Sequence, residues 1–158
     1  YREQFAFLRD NGITTRTDMA AFTARTEETL ANLMKQRTVL NVRRKRRRAL
    51  YTALADAEAL APVKELYEAG LSGMETEFAQ YMDAVAALEQ CGVPREGLIQ
   101  EKAELYDRLA ELNRQIRAER RKLALCRKTQ NSLPRMEQEI DKAEARESEV
   151  RTNEHRRR

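Results

Sequence analysis

Six consecutive cations, Arg43, Arg44, Lys45, Arg46, Arg47 and Arg48, are the residues of this chain that most plainly imply a chemistry. Guanidinium and ammonium groups neutralise phosphate oxygens and release counterions, giving an affinity for nucleic acid that does not depend on base sequence. The run sits inside a stretch that reads as helix, so at 3.6 residues per turn its charge goes all round the circumference. At least two of the six then fall where a packed helix wants apolar residues. Buried there, each needs a carboxylate partner, because an unpaired buried charge is very costly. Otherwise the helix must leave its bundle at that turn. The bland alternative is a solvated helix face or a localisation-type basic run.

A second set of cations lies further on. Arg114, Arg117, Arg121 and Lys128 follow at intervals of three, four and seven, so they share one stripe of a helix. At about 100° per residue, that stripe lies roughly 130° from Leu109, Leu112, Ile116 and Leu123. Glu101, Glu104, Glu111 and Glu119 fall mainly on the opposite flank, a sorting of charge that solubility alone does not require. An ordinary amphipathic surface is the competing account.

Catalysis has little to work with. The one histidine, His155, stands in a charged tail. There is no H-x-H pair, no cluster of acidic ligands, no Gly-rich phosphate loop and no nucleophile elbow. Tyr1, Tyr51, Tyr67, Tyr81 and Tyr106 have no base or metal cluster nearby in sequence to activate them. The last four read as packing residues. Cys91 and Cys126 lack metal-ligand spacing and fit a reducing cytosol. No active site, metal or cofactor is expected.

The elements that must hold these cations are helices. Of 158 residues 35% are charged and 6% aromatic, with five glycines and three prolines, the composition of long helices and coiled coils. Tyr1, Phe5 and Leu8 suggest a short helix within residues 1–12, stopped by Asn11-Gly12. Thr15-Arg16-Thr17-Asp18 fits a capping box. It opens a helix over about 18–59, on the order of 60 Å long at 1.5 Å per residue. Its seam steps through Met19, Phe22, Thr26, Leu30, Leu33, Arg37, Leu40, Arg44, Arg47, Tyr51 and Leu54, apolar at both ends and basic in the middle.

An interrupted helix follows over about 63–90, broken at Gly70-Leu71-Ser72-Gly73 and closed by Cys91-Gly92-Val93-Pro94. A second long helix covers about 95–130, its leucine seam interrupted by Lys102 and Glu119. Pro134 kinks or ends it near 131–134, because proline removes one helical hydrogen bond and clashes one turn back. A weaker helix reaches about 143, and residues 144–158 read as a frayed charged tail. The spacing thus predicts an all-α, elongated antiparallel helical bundle or coiled coil over residues 13–143. The direction of the two long helices depends on whether Gly70–Gly73 makes a full turn. The net charge of +4 is unevenly spread, and no apolar run approaches the roughly 18 residues of a membrane span. The opening at Tyr1 reads as a piece of a longer polypeptide.

The segment Arg43-Arg44-Lys45-Arg46-Arg47-Arg48-Ala49-Leu50-Tyr51 resembles the basic run followed by A-L-Y found beyond the nuclease domain of relaxase/mobilisation proteins of bacterial conjugative elements. Ile116-Arg117-Ala118-Glu119-Arg120-Arg121-Lys122-Leu123-Ala124-Leu125-Cys126 is similar to another stretch of that region. So is the opening Leu8-Arg9-Asp10-Asn11-Gly12-Ile13-Thr14-Thr15 with Asp18 and Met19. The resemblance implies a parent protein that nicks one strand at a transfer origin and stays attached through a tyrosine. Its nuclease domain needs a histidine metal cluster that these residues do not contain, so no catalytic role carries over.

What the resemblance implies here is an accessory helical region that helps hold origin DNA or contacts the transfer machinery; the residues themselves add the expectation of a non-catalytic, cytoplasmic module that contacts duplex or hairpin DNA through phosphates. Arg43 to Arg48 and the Arg117–Arg121 stripe are the matching positions, and helical spacing adds Arg114 and Lys128 to that stripe. The scarcity of aromatics argues against a dedicated single-strand platform. The rival expectation is a coiled-coil scaffold that forms a homodimer or docks on a relaxase nuclease domain or on the transfer machinery.

Overall fold

Every element of the computed structural model, which describes residues 1–157, is a helix. In chain order they are α1 (Arg2–Asp10), α2 (Arg16–Ala59), α3 (Ala61–Glu68), α4 (Glu75–Gln90) and α5 (Arg95–Arg156). The all-α expectation holds, with α2 and α5 as its two long helices. The chain divides into two compact units: residues 33–115 form one, and Tyr1–Asn32 packs with the part of α5 from Ile116 onward in the other.

In the unit built from the two chain ends, local signals set the boundaries of α1 and α2. Gly12 has φ of 63°, a left-handed conformation that costs glycine little and lets the Ile13 N–H donate back to the Leu8 carbonyl at 2.9 Å. The capping box forms as its spacing predicts. The Asp18 N–H donates to the Thr15 hydroxyl at 3.0 Å, and the Asp18 carboxylate accepts the N–H groups of Thr14 and Thr15 at 3.1 Å each. These bonds, led by that from the Thr14 backbone, hold the Asp18 carboxyl below its ordinary value. A carboxyl depressed in the folded state contributes stability above the ordinary carboxylate range and loses it as pH falls through the lowered value. Thr15→Ala is expected to cost about 1 kcal/mol, read from the urea midpoint at pH 7.

Phe7, Ile13, Met19 and Cys126 form the core of this unit, with Phe22 set edge-on to Phe7 at 5.4 Å. The helices run antiparallel here. Arg16 meets Glu137 at 2.8 Å, and seven residues on Thr23 accepts from Gln130 at 3.2 Å.

Two expectations for α5 are corrected. The helix passes through Pro134 without ending, and residues 144–156 are helical instead of frayed. Proline here forfeits only its own N–H to the residue four back, while Met136, just beyond it, is 2% exposed and packed. The Arg16–Glu137 pair ties the same turn to α2. Past that turn, residues 137–157 are all exposed, and strong helix formers such as Glu, Ala, Lys and Arg supply the propensity.

In the unit of residues 33–115, the expected interrupted helix is two separate helices. The chain leaves α3 through Gly70, at φ of 91°, and the Leu71 N–H returns to the Leu66 carbonyl at 3.1 Å. Tyr67 then stacks on Phe78 of α4 with ring centroids 4.0 Å apart. Ala53, Leu54 and Ala57 of α2, Ala84 and Leu88 of α4, and Leu98 of α5 close a three-helix core. Below it α2 and α5 continue as a pair, with Tyr51, Leu105 and Leu109 buried against Leu40. Gln36 and Arg37 bond Arg108 and Asn113, whereas Arg47 and Tyr51 bond Glu101, so the two helices are antiparallel here too.

Candidate nucleic-acid interface

The basic run occupies the middle of α2, where a continuous helix fixes the direction of each side chain. Five of its six cations are exposed and Arg47 is half-buried. The seam that contacts α5 goes from Leu40 past Arg47 to Tyr51. Arg44, expected to share that seam, is exposed at its edge instead. Arg47 supplies the one real conflict between charge and burial, and α5 resolves it. Glu101 bonds Arg47 Nε at 2.9 Å, accepts the Tyr51 hydroxyl at 3.0 Å, and lies 3.9 Å from Arg43. Burial, and next the bond to this carboxylate, push the Tyr51 hydroxyl above its ordinary value.

One carboxylate serves two of the six cations. Arg44, Lys45, Arg46 and Arg48 form no ion pair among the described residues.

The two sides of the α2–α5 seam therefore differ. One side is mixed in charge, with Arg43, Glu101, Glu104 and Arg108 around a shallow groove. The other is a groove of about 740 Å³ lined by Arg44, Lys45 and Arg48 of α2 and by Lys102 and Tyr106 of α5, with no carboxylate in its wall. The Lys102 ammonium stands 5.9 Å from the ring centres of both Tyr51 and Tyr106, at the outer range of cation–π attraction. Tyr106 is 44% exposed and Tyr51 forms the floor. Arg46 lies about 200° round the helix from Arg44 and faces away from this groove.

Lys102 is the functional candidate that the sequence does not give. It reads as an interruption in a leucine seam, and only the antiparallel register sets it opposite Arg44 and Arg48. No local pattern carries that information.

The second set of cations is less free than its spacing suggests. Arg114 bonds Glu111 at 2.6 Å, and this bond lowers the Glu111 carboxyl to about 2. Lys128 bonds Glu3 at 3.1 Å. The expected separation of acid and base onto opposite flanks fails at Glu111, three residues before Arg114 and within reach of it. Arg117 and Arg121 are exposed and without an ion pair among the described residues. Arg114 belongs to the unit of residues 33–115, whereas Arg117, Arg121 and Lys128 belong to the other.

Elsewhere, Cys91 is half-buried and Cys126 buried, both as free thiols, and burial raises the Cys126 thiol. His155 is exposed on the last turns of α5. Among the described residues no group of three or more His, Cys, Asp or Glu could hold a metal ion. No described helix is long and apolar enough to cross a membrane. No protein-family model matches the chain, and comparisons with curated proteins and with solved structures find no significant match.

Proposed function

We propose that residues 33–115 bind DNA non-catalytically through its phosphates, in the groove walled by Arg44, Lys45, Arg48 and Lys102. The observation that carries this reading is the four-cation wall with no carboxylate in it, beside a seam whose other flank is charge-matched. Four cations held on two packed helices present a fixed positive field, and such a field attracts a polyanion over several ångströms. Duplex or hairpin DNA suits the groove better than a long single strand, because Tyr106 is its only exposed ring and stacking platforms need several. The likeness of Arg43–Tyr51 to the region beyond the nuclease domain of relaxases favours transfer-origin DNA as the ligand. On that reading the chain is an accessory module whose parent protein supplies the nicking chemistry.

Salt dependence tests the proposal. Four phosphate contacts give a slope of about −3.6 in log K against log salt, or on the order of a hundredfold weaker binding to a 20-base-pair duplex between 50 and 200 mM. Fluorescence anisotropy measures it. A slope near zero would remove the groove as the binding surface.

A further inference from the structure

The unit of residues 33–115 carries two further faces that neither the groove nor the core uses. The first is the exposed side of α4. Tyr81, Ala84 and Leu88 point into the core, which leaves Ala79, Met82 and Ala86 on the opposite side, all exposed, with Met82 at 48%. Glu75, Asp83 and Glu89 border them. Helix α4 has no Lys or Arg, and none of its acids forms an ion pair among the described residues.

The second face is the side of α2 turned away from α5. Val39 and Val42 stand there 67% and 45% exposed, with Lys35 one turn before Val39 and Arg46 one turn after Val42. No Asp or Glu occurs anywhere between Thr29 and Ala55. By helical position this face lies about 180° from Arg44, on the far side of the helix from the groove.

We infer that these faces are partners, and that a second copy of this chain docks its Val39–Val42 face onto the Met82 face of the first. The match is double. Each face has an apolar centre, and along its own helix one carries only acids where the other carries only bases, the pattern that sets register and excludes like copies of the same face. Ala79 and Ala86 on either side of Met82 leave shallow ground where a helix carrying two valines can approach closely. Within one copy the valine face and the Met82 face both point outward, so the pairing is between molecules.

The contact joins two different surfaces, which makes it heterologous: each copy keeps one face of each kind free, and assembly continues head to tail. This inference does not rest on the DNA reading, since neither face includes the groove cations.

Sedimentation velocity on nuclease-treated, high-salt-purified chain tests it without nucleic acid. At about 50 mM salt the weight-average sedimentation coefficient should rise with protein concentration, and at about 500 mM it should fall back to the monomer value as the rim charges are screened. Two variants then separate a head-to-tail contact from any other. Lys35→Glu with Arg46→Glu reverses the valine face, and Asp83→Lys with Glu89→Lys reverses the Met82 face. All four positions are exposed, and equal thermal melts for both variants and the native chain check that each folds.

Each variant alone should remain monomeric. A one-to-one mixture should associate again and keep growing with concentration, since the two intact faces pair with each other and the two reversed faces, one now acidic and the other basic, are complementary as well. The inference is overturned if the native chain stays monomeric once nucleic acid is stripped. It is overturned equally if either variant still self-associates, or if the mixture does not associate.

Discussion

Changing Arg44, Lys45 and Arg48 together to glutamate should lower affinity for a DNA duplex by about a hundredfold or more at 0.15 M salt. The size follows from counterion release. With a slope near −0.9 per phosphate and 1 M salt as the reference, each contact is worth about 0.7 log unit at 0.15 M, so three contacts account for about two. Repulsion from the new carboxylates adds to that. The slope should also flatten by nearly three, a signature that a merely unfolded variant would not give. Folding itself should survive, because all three side chains are exposed and form no ion pair among the described residues.

A control of equal net charge, Lys142, Arg146 and Arg151 to glutamate on the exposed end of α5, should weaken binding far less. If the control loses as much as the groove variant, overall charge and not the groove is responsible.

The largest effect on stability should come from Leu98→Ala. Leu98 is fully buried at the junction of α2, α4 and α5, and three of its five buried neighbours in that core are alanines. The leucines therefore carry most of the apolar area, and neighbouring alanines have no length with which to fill a void. Truncation should cost about 2–5 kcal/mol. For a unit of this size each kcal/mol is worth roughly 4–8 °C, so the melting temperature should fall by about 8 °C or more. Ile99, the next residue, is 54% exposed, and Ile99→Ala should change stability by no more than about 0.5 kcal/mol. Equal effects at the two positions would show that α4 does not close over Leu98.

Features set by a few neighbouring residues are legible in the sequence: the Asn11-Gly12 stop, the Thr15–Asp18 box, and the breaks at Gly70–Gly73 and Gly92-Val93-Pro94. The seam of α2 is legible only at its ends. Through the basic run a step of three or four fits almost any choice of residues, so periodicity puts Arg44 inside, whereas the packed path skips it and goes from Leu40 to Arg47. The carboxylate that accommodates Arg47 lies 54 residues away, and Lys102 is as remote from Arg44 in the chain, so no local rule reaches either.

Pro134 misleads for another reason. The rule for proline inside a helix concerns the bond that is lost, whereas here Met136 and the Arg16–Glu137 pair hold the following turn in place.

The same stretch of α5 has a thermodynamic consequence. Up to Met136 the helix has neighbours whose burial opposes unwinding, but residues 137–157 are all exposed, and beyond the Arg16–Glu137 pair they form no ion pair among the described residues. Most helical stability in proteins comes from tertiary packing of one face, whereas this segment has only its propensity and the nucleus supplied by the packed part of α5. The geometry of α5 is continuous while its packing is not, so amides of the distal third should exchange with solvent faster than those before Met136, a difference that hydrogen exchange reads.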